Sequence, residues 1–223
     1  MLMLNRLACL GWWVLDAKFG VKHNFNNQQK LRVDVFMDMV NGIIPIPEMN
    51  SIFPEVLETQ WSHKMYFESF DLSWLKLNTK PDILIMDNFA ELVDRKITHK
   101  DGWTFCGYKS DFKEEYFLNG TLVDHGLLNI DDIYNSYDNF FAYVKEKWNI
   151  PIIFIHFPTA FEDREKYINQ GIAITKALET LSVKYNIQNI HADSDSIEQR
   201  DDSPLNYHFG QKTVLNMANK ITW

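Results

Sequence analysis

The stretch Pro151-Ile-Ile-Phe-Ile-His-Phe157 decides the fold of this chain, and Asp82-Ile-Leu-Ile-Met-Asp87 repeats its pattern. Both are short, nearly continuous apolar runs bounded by proline or charged residues. Such runs are typical of strands that are buried on both faces of a parallel sheet. Three further apolar runs predict additional strands, at Leu7 to Leu15, Leu31 to Met37 and Ile187 to His191.

Longer segments with helical spacing of apolar residues separate these runs. The predicted helices are Pro54 to Leu77, Ile130 to Trp148, Glu162 to Tyr185 and Gln211 to Ile221. Because crossovers between parallel strands are right-handed, alternation of this kind favours helices on both faces of one sheet. The sequence therefore predicts an α/β fold, a three-layer α/β/α sandwich with a mostly parallel, about five-stranded, flavodoxin-like sheet.

The chain of 223 residues suits a single domain spanning residues 1–223. One stretch, Thr98 to Gly126, breaks the alternation because it is rich in Gly, Lys, Asp and aromatic residues. We interpret it as an inserted loop or hairpin at about residues 98–126 rather than as a second domain.

Composition excludes several classes of protein. With 22 Lys+Arg against 30 Asp+Glu, the net charge is -8, so no positive field would attract nucleic acid. No apolar stretch is long enough to span a bilayer. Leu7 to Leu15 imitates the apolar region of a signal peptide, but no small-residue cleavage site follows it. The two cysteines, Cys9 and Cys106, form no CxxC motif, and we expect a reducing, cytoplasmic environment.

Candidate catalytic residues follow the predicted strands, where parallel sheets place their ligand sites. His208 lies in a polar loop before the last helix, where an imidazole can act as a general base oriented by Asp202. A surface or helix-capping histidine is the alternative. Asp87 and Asn88 follow a strand, and they either stabilise an oxyanion or cap the next helix.

Two other groups of residues have structural alternatives. His156 ends a predicted strand, where a histidine is either a substrate-binding group or a hydrogen-bonded core residue. The aspartates from Asp193 to Asp202 offer oxygen ligands but lack the spacing of an EF-hand loop, so a solvated acidic loop is the preferred interpretation. There is no zinc motif, GxGxxG, P-loop or GxSxG sequence, and we predict no metal and no cofactor.

Four short matches resemble the SGNH (GDSL-like) hydrolase superfamily, specifically a bacterial branch associated with polysaccharide genes. They are Leu10-Gly-Trp-Trp-Val14, Lys80-Pro-Asp-Ile-Leu-Ile-Met-Asp87, Tyr167-Ile-Asn169 and Tyr207-His-Phe209. The resemblance spans most of the chain. It implies an α/β/α sandwich that hydrolyses or transfers acyl esters with a serine, a histidine and usually an aspartate.

The chain departs from this pattern at the nucleophile. Trp12 stands where the matched motif has serine, and an indole cannot attack a carbonyl group. Leu205 replaces the aspartate expected three residues before the histidine, which leaves Asp202 or Asp201 as substitutes. Three explanations are open: a hydroxyl elsewhere in the chain serves as the nucleophile, the chain is a catalytically silent relative, or the alignment is wrong. The candidates for a relocated nucleophile are Ser51, Ser194, Ser196 and Ser203.

Two hypotheses of function follow. The first is an esterase or acyltransferase acting on an acylated carbohydrate, with His208 as general base, Asn88 and the backbone of Gly11 and Trp12 as the anion-stabilising region, and Tyr207 beside the substrate. The second is a silent glycan-binding protein in which Trp12, Trp13, Trp103 and neighbouring rings stack on sugar faces. A nucleotide-using transferase is the third option, and the missing Gly-rich loop argues against it.

Overall fold

The computed structural model describes residues 3–6, 9–20, 25–27, 30–43, 56–58, 80–203, 205 and 207–222. This part of the chain alternates strands and helices and confirms the α/β class. Its strands are β1 (Met3–Arg6), β2 (Phe25–Asn27), β3 (Ile83–Asp87), β4 (Arg95–His99), β5 (Thr104–Gly107), β6 (Leu122–Gly126), β7 (Ile152–Ile155) and β8 (Ile187–Ile190). Its α-helices are α1 (Cys9–Phe19), α2 (Val33–Val40), α3 (Phe89–Val93), α4 (Glu114–Leu118), α5 (Ile133–Lys147), α6 (Glu165–Tyr185) and α7 (Gln211–Lys220).

The central sheet has the strand order β2-β1-β3-β7-β8, and every neighbouring pair in it is parallel. All five residues of β3 and all four of β7 are buried, as a sheet that is covered on both faces requires. The strands predicted at 82–87, 151–157 and 187–191 are therefore confirmed. The apolar runs of β3 and β7 leave no exposed polar face, whereas β8, at the edge of the sheet, has the polar Gln188 and Asn189 between two buried isoleucines.

The predicted helices at 130–148, 162–185 and 211–221 are also confirmed, as α5, α6 and α7. Helix α6 ends at Tyr185, and the capping residue Asn186 adopts the left-handed conformation with φ of 53°. The helix predicted at 54–77 lies almost wholly outside the described residues.

Two strand predictions are wrong. The run from Leu7 to Leu15 is helical from Cys9 onward, as α1, and Leu31 to Met37 is mostly α2. Short apolar runs fit a buried strand and a buried helix equally well. In α2 the sequence does carry a helical pattern. Val33 and Phe36 are buried three residues apart, and Asp34 and Asp38 are four residues apart.

The stretch that interrupts the alternation forms most of a second, antiparallel sheet with the order β5-β4-β6. Strand β4 pairs with both neighbours, and its register shifts at Lys96 and Ile97. Helix α4 lies in the connection between β5 and β6. The buried side chains of Ile97 and Phe105 join this sheet to the main core.

Parallel pairing brings the carboxyl ends of the central strands to one edge. Arg6 at the end of β1 lies opposite Met86, and Asp87 at the end of β3 lies opposite Ile155 of β7. The segments that follow these strands therefore begin side by side, and the candidate site is built there. None of the described helices is both long and apolar enough to cross a membrane.

Candidate active site at the carboxyl edge of the parallel sheet

The loop that carries His208 is held by a short antiparallel backbone pairing. Gln199 bridges to Phe209, the Arg200 amide donates to the His208 carbonyl over 3.0 Å, and the Gly210 amide donates to the Glu198 carbonyl over 2.9 Å. These bonds hold residues 198–200 alongside residues 208–210 within the connection between β8 and α7. His208 thus occupies a defined position at the base of this loop.

His208 is paired with Ser203. The Ser203 Oγ atom lies 2.6 Å from His208 Nδ1, and it also accepts the Leu205 amide over 3.3 Å. When Nδ1 is unprotonated, the hydroxyl donates to it, which is the arrangement of a serine about to lose its proton to a base. Of the four serines proposed as relocated nucleophiles, Ser203 is the one that the structure brings to the imidazole; Ser51 lies outside the described residues.

The protonation state of His208 suits a base. Partial burial lowers the pKa of His208 below its ordinary value, and the positive charge of Arg200 lowers it further against the opposing effect of Asp202. The imidazole is therefore neutral at pH 7. Asp202, predicted to orient this ring, instead binds Arg200 through two bonds of 2.6 and 2.7 Å, and its side chain is 69% exposed.

Asn88 ties two strands of the sheet together. Its Oδ1 atom accepts the Phe157 amide over 2.7 Å, which links the end of β3 to the segment after β7. Asn88 is 1% exposed, and its Nδ2 donor makes no hydrogen bond to a described residue. The neighbouring Asp87 accepts the Phe89 amide over 3.1 Å and so closes the turn into α3. Of this pair, Asn88 therefore retains a donor for an anion.

A cluster of aromatic rings connects the His208 loop to Asn88. Tyr207 lies 5.6 Å from Phe89 between ring centroids, Phe89 lies 4.7 Å from Phe157, and Phe157 lies 5.3 Å from Phe209. Phe161 completes the cluster against Phe209. These contacts place Tyr207 and the loop of Ser203 and His208 over the ends of β3 and β7.

His156 lies in the core rather than in an open site. It is 5% exposed, its ring stacks on His191 with centroids 3.8 Å apart, and its Nε2 atom contacts Asn189 Oδ1 at 3.3 Å. Because an amide oxygen only accepts, Nε2 carries the proton, and Nδ1 has no hydrogen-bond partner among the described residues. Burial, reinforced by His191, lowers the pKa of His156 to about 3. The ring is neutral and structural.

This neutral histidine makes folding sensitive to acid. In the unfolded chain a histidine has a pKa of about 6.5, so protons favour the unfolded state below that pH while the folded ring stays neutral down to about pH 3. The contribution of the neutral His156 ring to folding stability is complete above pH 6.5, and it is lost as the pH falls below that value. Between pH 7 and pH 5 the loss is about 2 kcal/mol, from 1.36 kcal/mol per pH unit.

We expect His156→Phe to reduce the difference between the unfolding free energies at pH 7 and pH 5 by about this amount, measured by urea titration. The matched control is His125→Phe, since His125 is exposed and its ring forms a hydrogen bond with Thr98. An unchanged difference in the His156 variant would contradict the assignment of a buried neutral ring.

Gly11, Trp12 and Trp13 lie inside helix α1, which corrects the sequence alignment at the nucleophile. Strand β1 ends at Arg6 and α1 begins at Cys9, so the connection that follows the first strand precedes Trp12. Gly11 is buried, while Trp13 is 47% exposed. The first serine or threonine in the sequence is Ser51, and the β1–α1 connection therefore contains no hydroxyl nucleophile.

The acidic residues near the C-terminus are engaged in local contacts. Asp193 binds Asn216 over 2.8 Å and Lys220 over 2.6 Å, and the Ser196 hydroxyl donates to the Asp193 carbonyl over 2.7 Å. Within the described ranges, no group of three His, Cys, Asp or Glu residues has the geometry of a metal site.

In comparisons with known proteins, no family model matches this sequence, and no curated protein and no solved structure matches it significantly.

Proposed function

We propose that this chain cleaves or transfers ester-linked acyl groups on a carbohydrate, with His208 as general base and Ser203 as the hydroxyl that it deprotonates. The observation that carries the proposal is the 2.6 Å contact between Ser203 Oγ and the neutral His208 ring. The proposed base is the histidine of the motif that resembles SGNH hydrolases, whereas the proposed hydroxyl comes from the same loop as that histidine and not from the segment after the first strand.

The proposed reaction has two halves. Ser203 Oγ bonds to the acyl carbon as its proton passes to His208 Nδ1, and the carbonyl electrons move onto the oxygen. We propose that the Nδ2 atom of Asn88, which makes no hydrogen bond to a described residue, stabilises that oxyanion. The ester bond then breaks, and His208 returns the proton to the sugar oxygen. Water or a second hydroxyl attacks the acyl-serine in the same way and releases the acid or a new ester.

Two further observations support the substrate class and the architecture. The rings of Tyr207, Phe89 and Phe161 beside the site offer faces for a sugar. Helix α1 packs on α7, whereas α2 packs on α5 and α5 on α6. We infer that these two groups cover opposite faces of the parallel sheet, as in the three-layer sandwich of SGNH-like and flavodoxin-like proteins.

The experiment compares the parent protein with His208→Ala on 4-nitrophenyl acetate and on an acetylated monosaccharide, with release of acetate followed by NMR. We expect turnover in the parent and a loss of at least about a hundredfold in the variant, since general bases contribute about 10²–10⁴ in rate. The control is His125→Ala, which removes an exposed imidazole outside the site.

Equal rates in the parent and the His208 variant, or no release from either ester, would contradict the proposal. The second result would favour the alternative, a catalytically silent glycan-binding protein. The observation behind that alternative is the exposure of Trp13 on α1, which leaves an indole face accessible to a sugar. Loss of sugar binding in Trp13→Ala is its distinguishing result.

A further inference from the structure

A cavity of about 350 Å³ lies between the antiparallel sheet and the first turn of α6. Arg95 comes from β4, Lys109 and Phe117 from the connection between β5 and β6, and Lys166 and Tyr167 from α6. The volume suits a small organic ligand rather than a single water or ion. Three segments of the chain thus converge on one partly open cavity.

The charge of this cavity is opposite to that of the whole chain. Lys109 and Lys166 form no ion pair with a described carboxylate, and Arg95 binds both Asp124 oxygens through Nε alone, at 2.7 Å. The two terminal nitrogens of Arg95 make no hydrogen bond to a described residue. The lining contains three basic residues and one acidic residue, Glu114. The cavity is therefore basic, although the net charge of the whole chain is -8. This arrangement selects an anion.

Aromatic rings form the rest of the wall. Phe112 and Tyr167 are 3% and 5% exposed, so their rings are fixed by the core. The Lys166 ammonium lies 4.7 Å from the Tyr167 ring centroid, and the Lys109 ammonium lies 5.4 Å from that of Phe117. Cations placed beside ring faces match a ligand with both an acidic group and an apolar face. A pyranose that carries a carboxylate or phosphate has both.

We propose that this cavity binds the acidic group and ring of a negatively charged sugar. The loop of residues 157–164 contacts both a residue of this cavity and the loop that carries the Ser203–His208 pair. Phe161 in that loop contacts Phe209, and Arg164 at its end donates to the Tyr108 hydroxyl over 3.0 Å. If the proposed function holds, its substrate is an acidic carbohydrate, and this assignment rests on the proposed function. The binding of an acidic sugar in the cavity does not depend on it.

The test is isothermal titration calorimetry at low ionic strength with glucuronate, glucose 6-phosphate, inorganic phosphate and glucose. We expect either acidic sugar to bind at least about tenfold more tightly than glucose and than inorganic phosphate, because cation contacts and ring contacts both contribute. The double variant Lys109→Gln/Lys166→Gln should weaken that binding at least about tenfold. The control is Lys176→Gln, an exposed residue farther along α6.

Binding that the double variant leaves unchanged, or no binding of either acidic sugar, would overturn the proposal. Inorganic phosphate binding as tightly as glucose 6-phosphate would overturn the assignment of a sugar. Failure of the proposed function has a different signature, since His208→Ala should bind acidic sugars as the parent does. Binding without ester turnover therefore retains the cavity and rejects the reaction.

Discussion

Ser203→Ala should abolish ester turnover, with a fall in kcat of about 10⁴-fold or more, because removal of a nucleophile costs the whole covalent route. The reason is the position of the Ser203 hydroxyl, 2.6 Å from the neutral His208 ring at the edge where the parallel strands end. The measurement is steady-state hydrolysis of 4-nitrophenyl acetate, together with mass spectrometry after treatment with an organic fluorophosphonate. The adduct is expected on Ser203 in the parent protein.

Two matched variants separate the roles that Ser203 could play. Ser194→Ala removes an exposed hydroxyl of the same region and should leave turnover unchanged. Cys9→Ala replaces the first residue of α1, which follows the first strand, and should also have no effect. Turnover that survives in Ser203→Ala but disappears in Cys9→Ala would reject Ser203 as nucleophile and leave it as a group that orients His208.

Lys30→Met should lower the free energy of unfolding by about 3–5 kcal/mol at pH 7, the usual cost of breaking a buried ion pair from one side. The Lys30 ammonium lies 3.0 Å from Asp94 Oδ1 and 3.5 Å from Asp111 Oδ2, and the Asp94 side chain is fully buried. Burial raises the pKa of Asp94 to about 6 even with this lysine present. Without the lysine, a buried carboxylate would have no compensating cation at this contact. Urea unfolding provides the measurement.

The pH dependence of unfolding and a substitution in a surface ion pair both test whether the buried charge of Asp94 causes this loss of stability. Because the pKa of Asp94 is higher when folded than when unfolded, its contribution to stability decreases as the pH rises from about 4 to about 6, and loss of Lys30 extends that decrease to higher pH. The destabilisation should therefore be smaller at pH 5 than at pH 8, and the double variant Lys30→Met/Asp94→Asn should recover most of the lost stability.

The control is a surface ion pair. Lys96→Met breaks a partly exposed pair with Asp38 and should cost about 1 kcal/mol or less. Equal effects of the Lys30 and Lys96 substitutions would contradict this account.

The site was predictable in part. His208 and Asn88 could be proposed as members of the candidate site because polar residues after buried strands are where parallel sheets place ligand groups. The partner of His208 could not be identified, because four serines and two aspartates were compatible with the sequence. Ser203 reaches the ring only when the backbone pairing of Gln199 with Phe209 closes the loop. The same closure leaves Asp202 beside Arg200.

Local sequence pattern was sufficient to predict β3, β7, β8 and the three helices α5, α6 and α7. β3 and β7 have uninterrupted apolar runs, β8 is a short segment bounded by buried isoleucines, and each of the helices has a long apolar stripe. Tertiary packing made the first two apolar runs mainly helical, since a run of seven to nine residues can be buried in either form. It also decided the Ser203–His208 contact, the Lys30–Asp94 pair and the cationic cavity. These depend on which distant segments meet, and that is set by strand register and packing rather than by local pattern.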